Sequence, residues 1–198
     1  MLKKVLLVMG LLIMSGAFPA CVHMKAATDP LVAPNDLMSE ELNTTERFRK
    51  YNSVGIKPFS TEGVMYGSTN PEEKPEMDAF CKSANMYFIK GFSDEMKDNF
   101  YKKYGTVDND DEARNYDLII EGKFVEIDRG NAAGRFWGTG GATRVTIRGT
   151  MTETATGKVV AKFGDSKIGT GSLGSMLLLQ NNCVELGGNL SDFLAEVY

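Results

Sequence analysis

The chain has 198 residues, 42% of them hydrophobic and 24% charged, with a formal charge of −4 and a single histidine. That acidic balance argues against nucleic-acid binding, which needs concentrated positive charge. The lone histidine, His23, leaves no Ser–His or Cys–His pair inside a domain and supports no metal cluster.

Residues 1–20 read as a signal peptide. Lys3 and Lys4 form a basic start, Val5 to Met14 is apolar apart from Gly10, and small residues follow up to Ala20. The run is too short for a comfortable bilayer span. Ala20-Cys21 matches a bacterial lipoprotein cleavage box, with Cys21 acylated (palmitate) and first in the mature chain. Phe18 and Pro19 depart from the usual leucine and small residue, and the competing reading is an ordinary signal peptide cut nearby. Without residues 1–20 the balance is 20 basic against 26 acidic residues. Residues 21–46 carry Pro30, Pro34, Asn35 and Asp36 without apolar periodicity, as a flexible tether of about 25–30 Å would. Residues 47–198 are left as one domain.

Tyr51 to Phe59 predicts a strand with Val54 and Ile56 inward, closed by Pro58. Ser60 to Glu76 is a long loop that Met65 and Tyr66 can pin down. From Met77 to Tyr104, apolar residues recur at helical spacing: Met77, Phe80, Cys81, Ala84, Phe88, Phe92, Met96 and Phe100. Gly91 weakens that helix and Gly105 marks its stop. Val107 to Asn115 is acidic. Asp108, Asp110 and Glu112 alternate as in a calcium loop, but the motif's glycine and closing glutamate are missing, so it reads as solvated loop.

Leu118 to Ile127 predicts a strand whose pattern slips. Leu118, Ile120 and Phe124 are apolar at even positions, Val125 and Ile127 at odd ones, and a bulge near Gly122 would absorb the change. In Ala142 to Thr152, Val145, Ile147 and Met151 alternate with Arg144, Thr146, Arg148, Thr150 and Thr152, the period of a half-buried strand. Thr154 to Lys158 supplies a turn, and Val159, Ala161 and Phe163 resume the pattern, completing a hairpin. Ser172 to Tyr198 predicts a second helix with Leu173, Met176, Leu177, Val184, Leu190, Phe193, Leu194 and Val197 on its face. Gly187-Gly188 marks a break or a close contact there. The expected fold is α+β: a two-layer sandwich, its mixed sheet of about four to five strands covered by two helices on one face and open on the other.

No catalytic residue, metal ligand or cofactor is assigned. Glu121, Glu126, Asp128 and Glu153 lie in or near strands without a spacing that makes a catalytic pair. Gly134 to Gly141 resembles a phosphate loop, but it lacks the following Lys-Ser/Thr and leads into a strand. Cys81 and Cys183 face the same core and, in an exported protein, either form a disulfide or stay as two buried thiols. The loop Arg129 to Gly141 holds the single tryptophan. Its Arg135, Phe136 and Trp137, with Arg144 and Arg148 on the open face, make a basic, aromatic candidate partner surface. The bland alternative is that Phe136 and Trp137 plug the end of the core.

Taken together, Glu121-Gly122 to Gly171, with Asp128-Arg129-Gly130-Asn131, Arg135, Gly138 to Ala142 and Thr156 to Val160, resembles a group of bacterial lipoproteins sharing a domain of unknown function of the DUF4410 type. The family pattern has Gly-Phe-Gly-Ala-Gly where this chain has Gly138-Thr139-Gly140-Gly141-Ala142, a departure that touches the loop more than the fold. The resemblance implies an envelope location and a fold similar to the TolB amino-terminal domain and curli-secretion lipoproteins. It brings no activity. The expected function is a binding or assembly module, held to the membrane by lipid at Cys21 and meeting an envelope protein or polymer. The alternative is a hydrolase of envelope polymers working through paired carboxylates. Val22 after the cysteine, in place of aspartate, implies by the same resemblance the outer membrane, facing the periplasm.

Overall fold

The computed structural model describes residues 37–44, 46–67, 69–96, 101–131, 133–134, 141–171 and 173–198. Cys21 and residues 135–140 therefore lie outside the described residues, and so do the leader and most of the expected tether. Six strands form one mixed sheet: β1 (Ser39–Leu42), β2 (Ser53–Ile56), β3 (Lys103–Thr106), β4 (Leu118–Asp128), β5 (Thr143–Glu153) and β6 (Val159–Gly169), in the order β1-β6-β5-β4-β2-β3. Two long helices, α1 (Lys74–Met96) and α3 (Ser175–Val197), cover one face; α2 (Asp110–Ala113) is a single turn between them. The α+β sandwich stands, with two more elements at the sheet edges than the periodicity predicts. Ser39–Leu42, expected in the tether, pairs antiparallel with β6 as an edge strand. Lys103–Thr106, expected as the end of the first helix, pairs parallel with β2, and Gly105 lies within that strand. Strands of four residues carry too little alternation to be told from their surroundings.

The β5–β6 hairpin follows its pattern closely. Val145, Ile147 and Met151 are buried while Arg144 and Arg148 are exposed, and Gly157 takes a positive φ of 69° in the turn. In β4, Leu118, Ile120, Phe124 and Ile127 all reach the core because the register shifts between Phe124 and Glu126. The bulge is thus at Val125, not near Gly122. Gly122 instead pairs directly with Gly149, and the ring of Phe59 lies against its core side. Phe59 packs on Phe88 with centroids 4.6 Å apart, and Phe88 meets Phe124 at 6.1 Å.

The long loop is partly ladder. Beyond Pro58 the backbone keeps running beside β4: Ser60 N–H donates to the Gly122 carbonyl at 2.9 Å and Met65 N–H to that of Val125 at 3.0 Å. Tyr66 packs against the core, its hydroxyl donating to Asp78 at 2.8 Å.

Helix α1 buries the predicted stripe from Met77 to Met96; Phe100 lies outside the described residues. In α3 the predicted Leu190, Phe193, Leu194 and Val197 are buried, but the first half of the helix is turned from the predicted face: Leu178, Leu179, Cys183 and Leu186 point inward, whereas Leu177 and, just before the helix, Leu173 stay exposed. Four consecutive apolar residues from Met176 to Leu179 fit any face, so docking against α1 and the sheet decides it. Gly187-Gly188 does not break the helix. A Cβ on Gly187 would collide with the Phe88 carbonyl oxygen, and one on Gly91 with that of Val184. The two helices therefore cross backbone to backbone through a pair of glycines.

The same crossing bears on the cysteines. Cys183 sits about one turn before it on α3, while Cys81 lies nearly three turns before it on α1, roughly 15 Å at 1.5 Å per residue. A disulfide needs Cα atoms within about 7 Å. Both cysteines are free and buried, so the bridge entertained from the sequence is not formed. Burial pushes both thiols above the ordinary range. In a Cys21→Ser protein, thiol titration should return two groups under denaturation and almost none in the native state at pH 7. A count of zero in denaturant without reductant would restore the disulfide.

Candidate functional site

The face away from α1 and α3 is not wholly open. At the β2–β3–β4 end, Val107, Ala113 and Ile119 form a small second core with Tyr116. The acidic connector folds there as α2, not as loop: Asn109 caps it by accepting from Glu112 N–H at 2.9 Å, and carboxylates in a first helical turn favour the N-terminal dipole. The remaining face, built on β4, β5 and β6, is polar and solvent-exposed.

Cross-strand register sets its charges. Asp128 lies opposite Arg144, Lys123 opposite Arg148, and Thr146 opposite Ser166, their hydroxyls 2.9 Å apart. Arg144 pairs with Glu126 at 3.8 Å. Lys57 reaches Asp110 at 2.9 Å and Glu121 at 3.4 Å, and Lys162 reaches Glu41 at 3.1 Å. Of the two predicted arginines, then, Arg144 is neutralised, and Arg148 has no carboxylate partner among the described residues. The residue beside Arg148 is Lys123, which sequence reasoning missed. Its place follows from pairing β4 with β5, and the predicted bulge was in the wrong position to align them.

Arg135, Phe136 and Trp137 lie outside the described residues, but the neck of their loop is well built. Asn131 N–H donates to the Gly141 carbonyl at 2.9 Å, and Gly130 N–H donates to Asp128 Oδ1 at 2.8 Å. Gly130 and Gly141 have φ of 62° and 84°, and a Cβ on either would strike the opposite strand of the neck. Only glycine is comfortable there. Arg129, expected to begin the binding loop, instead ties the neck to the start of α1 through Glu73 at 3.2 Å and Glu76 at 3.0 Å.

The strand carboxylates are committed. Glu121 and Glu126 pair as above, and Asp128 caps the neck. At the opposite end of the sheet, one cavity brings Asp117 and Glu153 together with Lys50, Tyr51 and Arg114. Asp117 Oδ2 accepts from the N–H groups of Asn52 and Ser53 at 2.7 and 3.1 Å. Glu153 accepts from the Thr156 hydroxyl and from Tyr51 at 3.2 Å, and pairs with Lys50 at 3.1 Å. The Thr156 hydroxyl first, then Lys50, hold the Glu153 carboxyl below the usual carboxylate range, and Glu153 raises Lys50 in return. A carboxyl that stays ionised is unsuited to act as a general acid. Because its folded pKa is depressed, its stabilisation is full above the ordinary value of 4.5 and disappears as pH falls through the folded value. Glu153→Gln should therefore melt lower than the parent at pH 7, with the gap closing as pH falls below 4.5 and through the folded value. A gap independent of pH would show that charge is not what Glu153 contributes.

Among the described residues no group of three or more His, Cys, Asp or Glu is placed to hold a metal ion, and no helix is long and apolar enough to cross a membrane.

The fold is similar to several solved structures. A PelC dodecamer from Paraburkholderia phytofirmans aligns at 13% identity with a TM-score of 0.48, covering 77% of this chain and 98% of that one. Protein XCC0632 from Xanthomonas campestris, of the DUF330 family, aligns at 11% identity and TM-score 0.41, covering 74% and 85%. Hypothetical protein CT253 from Chlamydia trachomatis aligns at 9% identity and TM-score 0.41, covering 72% and 98%. No curated protein matches the chain. The model of DUF4410, a domain of unknown function, matches residues 64–171, from the loop beside β4 through the β5–β6 hairpin. That match spans more than half of the sequence, and the chain belongs to the DUF4410 family.

Proposed function

We propose that this protein is an envelope lipoprotein, anchored by lipid at Cys21 in the outer membrane and facing the periplasm, that works as a binding or assembly module without chemistry of its own. The leader and the Ala20-Cys21 junction support the anchor. The observation that carries the binding role is the polar face of β4–β6. It is left uncovered by either long helix and presents Arg148 beside Lys123 in an otherwise acidic chain. Arg135, Phe136 and Trp137 belong to a loop whose neck, Gly130 to Gly141, rises from the same strands, and they are proposed as further partner contacts. The hydrolase reading needs a free pair of carboxylates. Asp117 and Glu153 share a cavity, yet each is held by structural partners, which weighs towards the module.

The test is photo-crosslinking in cells. A photoreactive residue at Thr146, on the polar face, should give discrete adducts with envelope components, and one at Lys82, exposed on α1, should not. Equal adducts from both positions, or none from Thr146, would sink the reading. Hydrolysis of cell-wall fragments with a bell-shaped pH profile would replace it by the enzyme.

A further inference from the structure

Lys123 and Arg148 are direct cross-strand partners, both exposed. Like charges placed opposite each other across an antiparallel ladder repel, so the pair weakens the sheet unless negative charge lies over it. The neighbouring cations Lys57, Arg144 and Lys162 all have carboxylate partners. Among the described residues neither Lys123 nor Arg148 has one. The two line an open depression shared with Lys57, Ser60 and Thr150. Its floor is the strand backbone at Gly122 and Gly149, which pair with each other between the Lys123–Arg148 pair and the Glu121–Thr150 pair and whose Cβ positions face the core. Room for the Arg148 stem comes from Gly164 on β6, where a Cβ would lie 3.4 Å from Arg148 Cγ. Two hydroxyls complete the rim. Ser60 Oγ accepts from Glu62 N–H at 3.1 Å and keeps its own proton to donate; Thr150 can donate likewise. One acid, Glu121, also lines the depression, and it is paired with Lys57 at 3.4 Å.

We propose that this depression binds a phosphate group. A planar guanidinium takes two phosphate oxygens, an ammonium acts as a point charge on another, and hydroxyl donors serve the rest. Donors arranged around a backbone floor suit the three terminal oxygens of a phosphate better than the two of a carboxylate. The inference rests on the polar face being the partner surface and names the chemistry of what it meets there.

The test uses the otherwise complete chain with Cys21→Ser, followed by amide NMR as inorganic phosphate is added. Saturable shifts are expected at Ser60, Lys123, Arg148 and Thr150. The Lys123→Ala/Arg148→Ala double variant should bind at least tenfold more weakly while melting no lower than the parent, since it also relieves a repulsion. Vesicles of phosphatidylcholine with phosphatidylglycerol, against phosphatidylcholine alone, identify the source. Sedimentation with the anionic vesicles only, lost in the double variant, means a lipid headgroup; phosphate binding without sedimentation means a soluble or polymer-borne phosphate. No saturable shift at these amides with either probe, or binding kept within twofold by the double variant, overturns the site. Phosphate blindness with Thr146 crosslinks intact would remove this site alone, whereas phosphate binding without crosslinks would remove the partner reading.

Discussion

Gly187→Ala is expected to destabilise the domain by about 3 kcal/mol, the upper end of ordinary overpacking costs, with Gly91→Ala close behind. For a domain of this size that is a fall in melting temperature of roughly 6–12 °C. The reason is that the added methyl meets backbone, not a side chain able to swing aside: the Phe88 carbonyl in one case and that of Val184 in the other. Relief requires moving α1 and α3 apart, which loosens every contact between them and the cluster of Phe59, Phe88 and Phe124 beneath. Helix propensity alone predicts the opposite sign, since alanine is favoured over glycine by about 1 kcal/mol inside a helix. Gly188→Ala supplies the internal control. Its Cβ would lie 3.4 Å from Glu95 Cγ, on a flexible side chain, so the substitution should be neutral or stabilising. Thermal melts of the three variants decide the matter. If Gly187→Ala melts with or above the parent, the backbone crossing is not as described.

Cys21→Ser should move the protein almost entirely from the membrane fraction to the soluble one. Acyl chains contribute about 0.8 kcal/mol per buried CH₂, and stable attachment takes more than one chain, so removing the acylated residue removes the attachment as a whole. Among the described residues no helix is long and apolar enough to cross a bilayer. Fractionation checks the shift and intact mass checks the modification. An unmodified Cys21, or a parent already soluble, would eliminate the lipoprotein reading; a parent in the inner membrane would correct the location.

How legible was the molecule? Strand β5 could be read residue by residue, because Val145, Ile147 and Met151 alternate with charged and hydroxyl residues on a strand half buried and half wet. Helix α1 was equally plain from Met77 to Met96. The edge strands β1 and β3 were not, since pairing with a neighbour, and not any pattern of their own, holds four residues extended. The candidate site fell between these cases. Arg148 was visible as an exposed strand residue, but whether it is free or neutralised depends on what stands across from it.

Sequence alone determined the quantities that are local: the order of the long elements and which side of each long strand is apolar. These follow from residue type and period, which act within a few residues of chain. Only the tertiary structure decided how those pieces meet. It placed the bulge at Val125, so that Lys123 faces Arg148 and Glu126 neutralises Arg144. It turned Gly91 and Gly187 from weak points of two helices into the contact that lets them cross. It also left Cys81 and Cys183 as separate buried thiols. In each case the deciding term is a contact between residues far apart in sequence, whose energy depends on distance and register and is carried by neither residue alone.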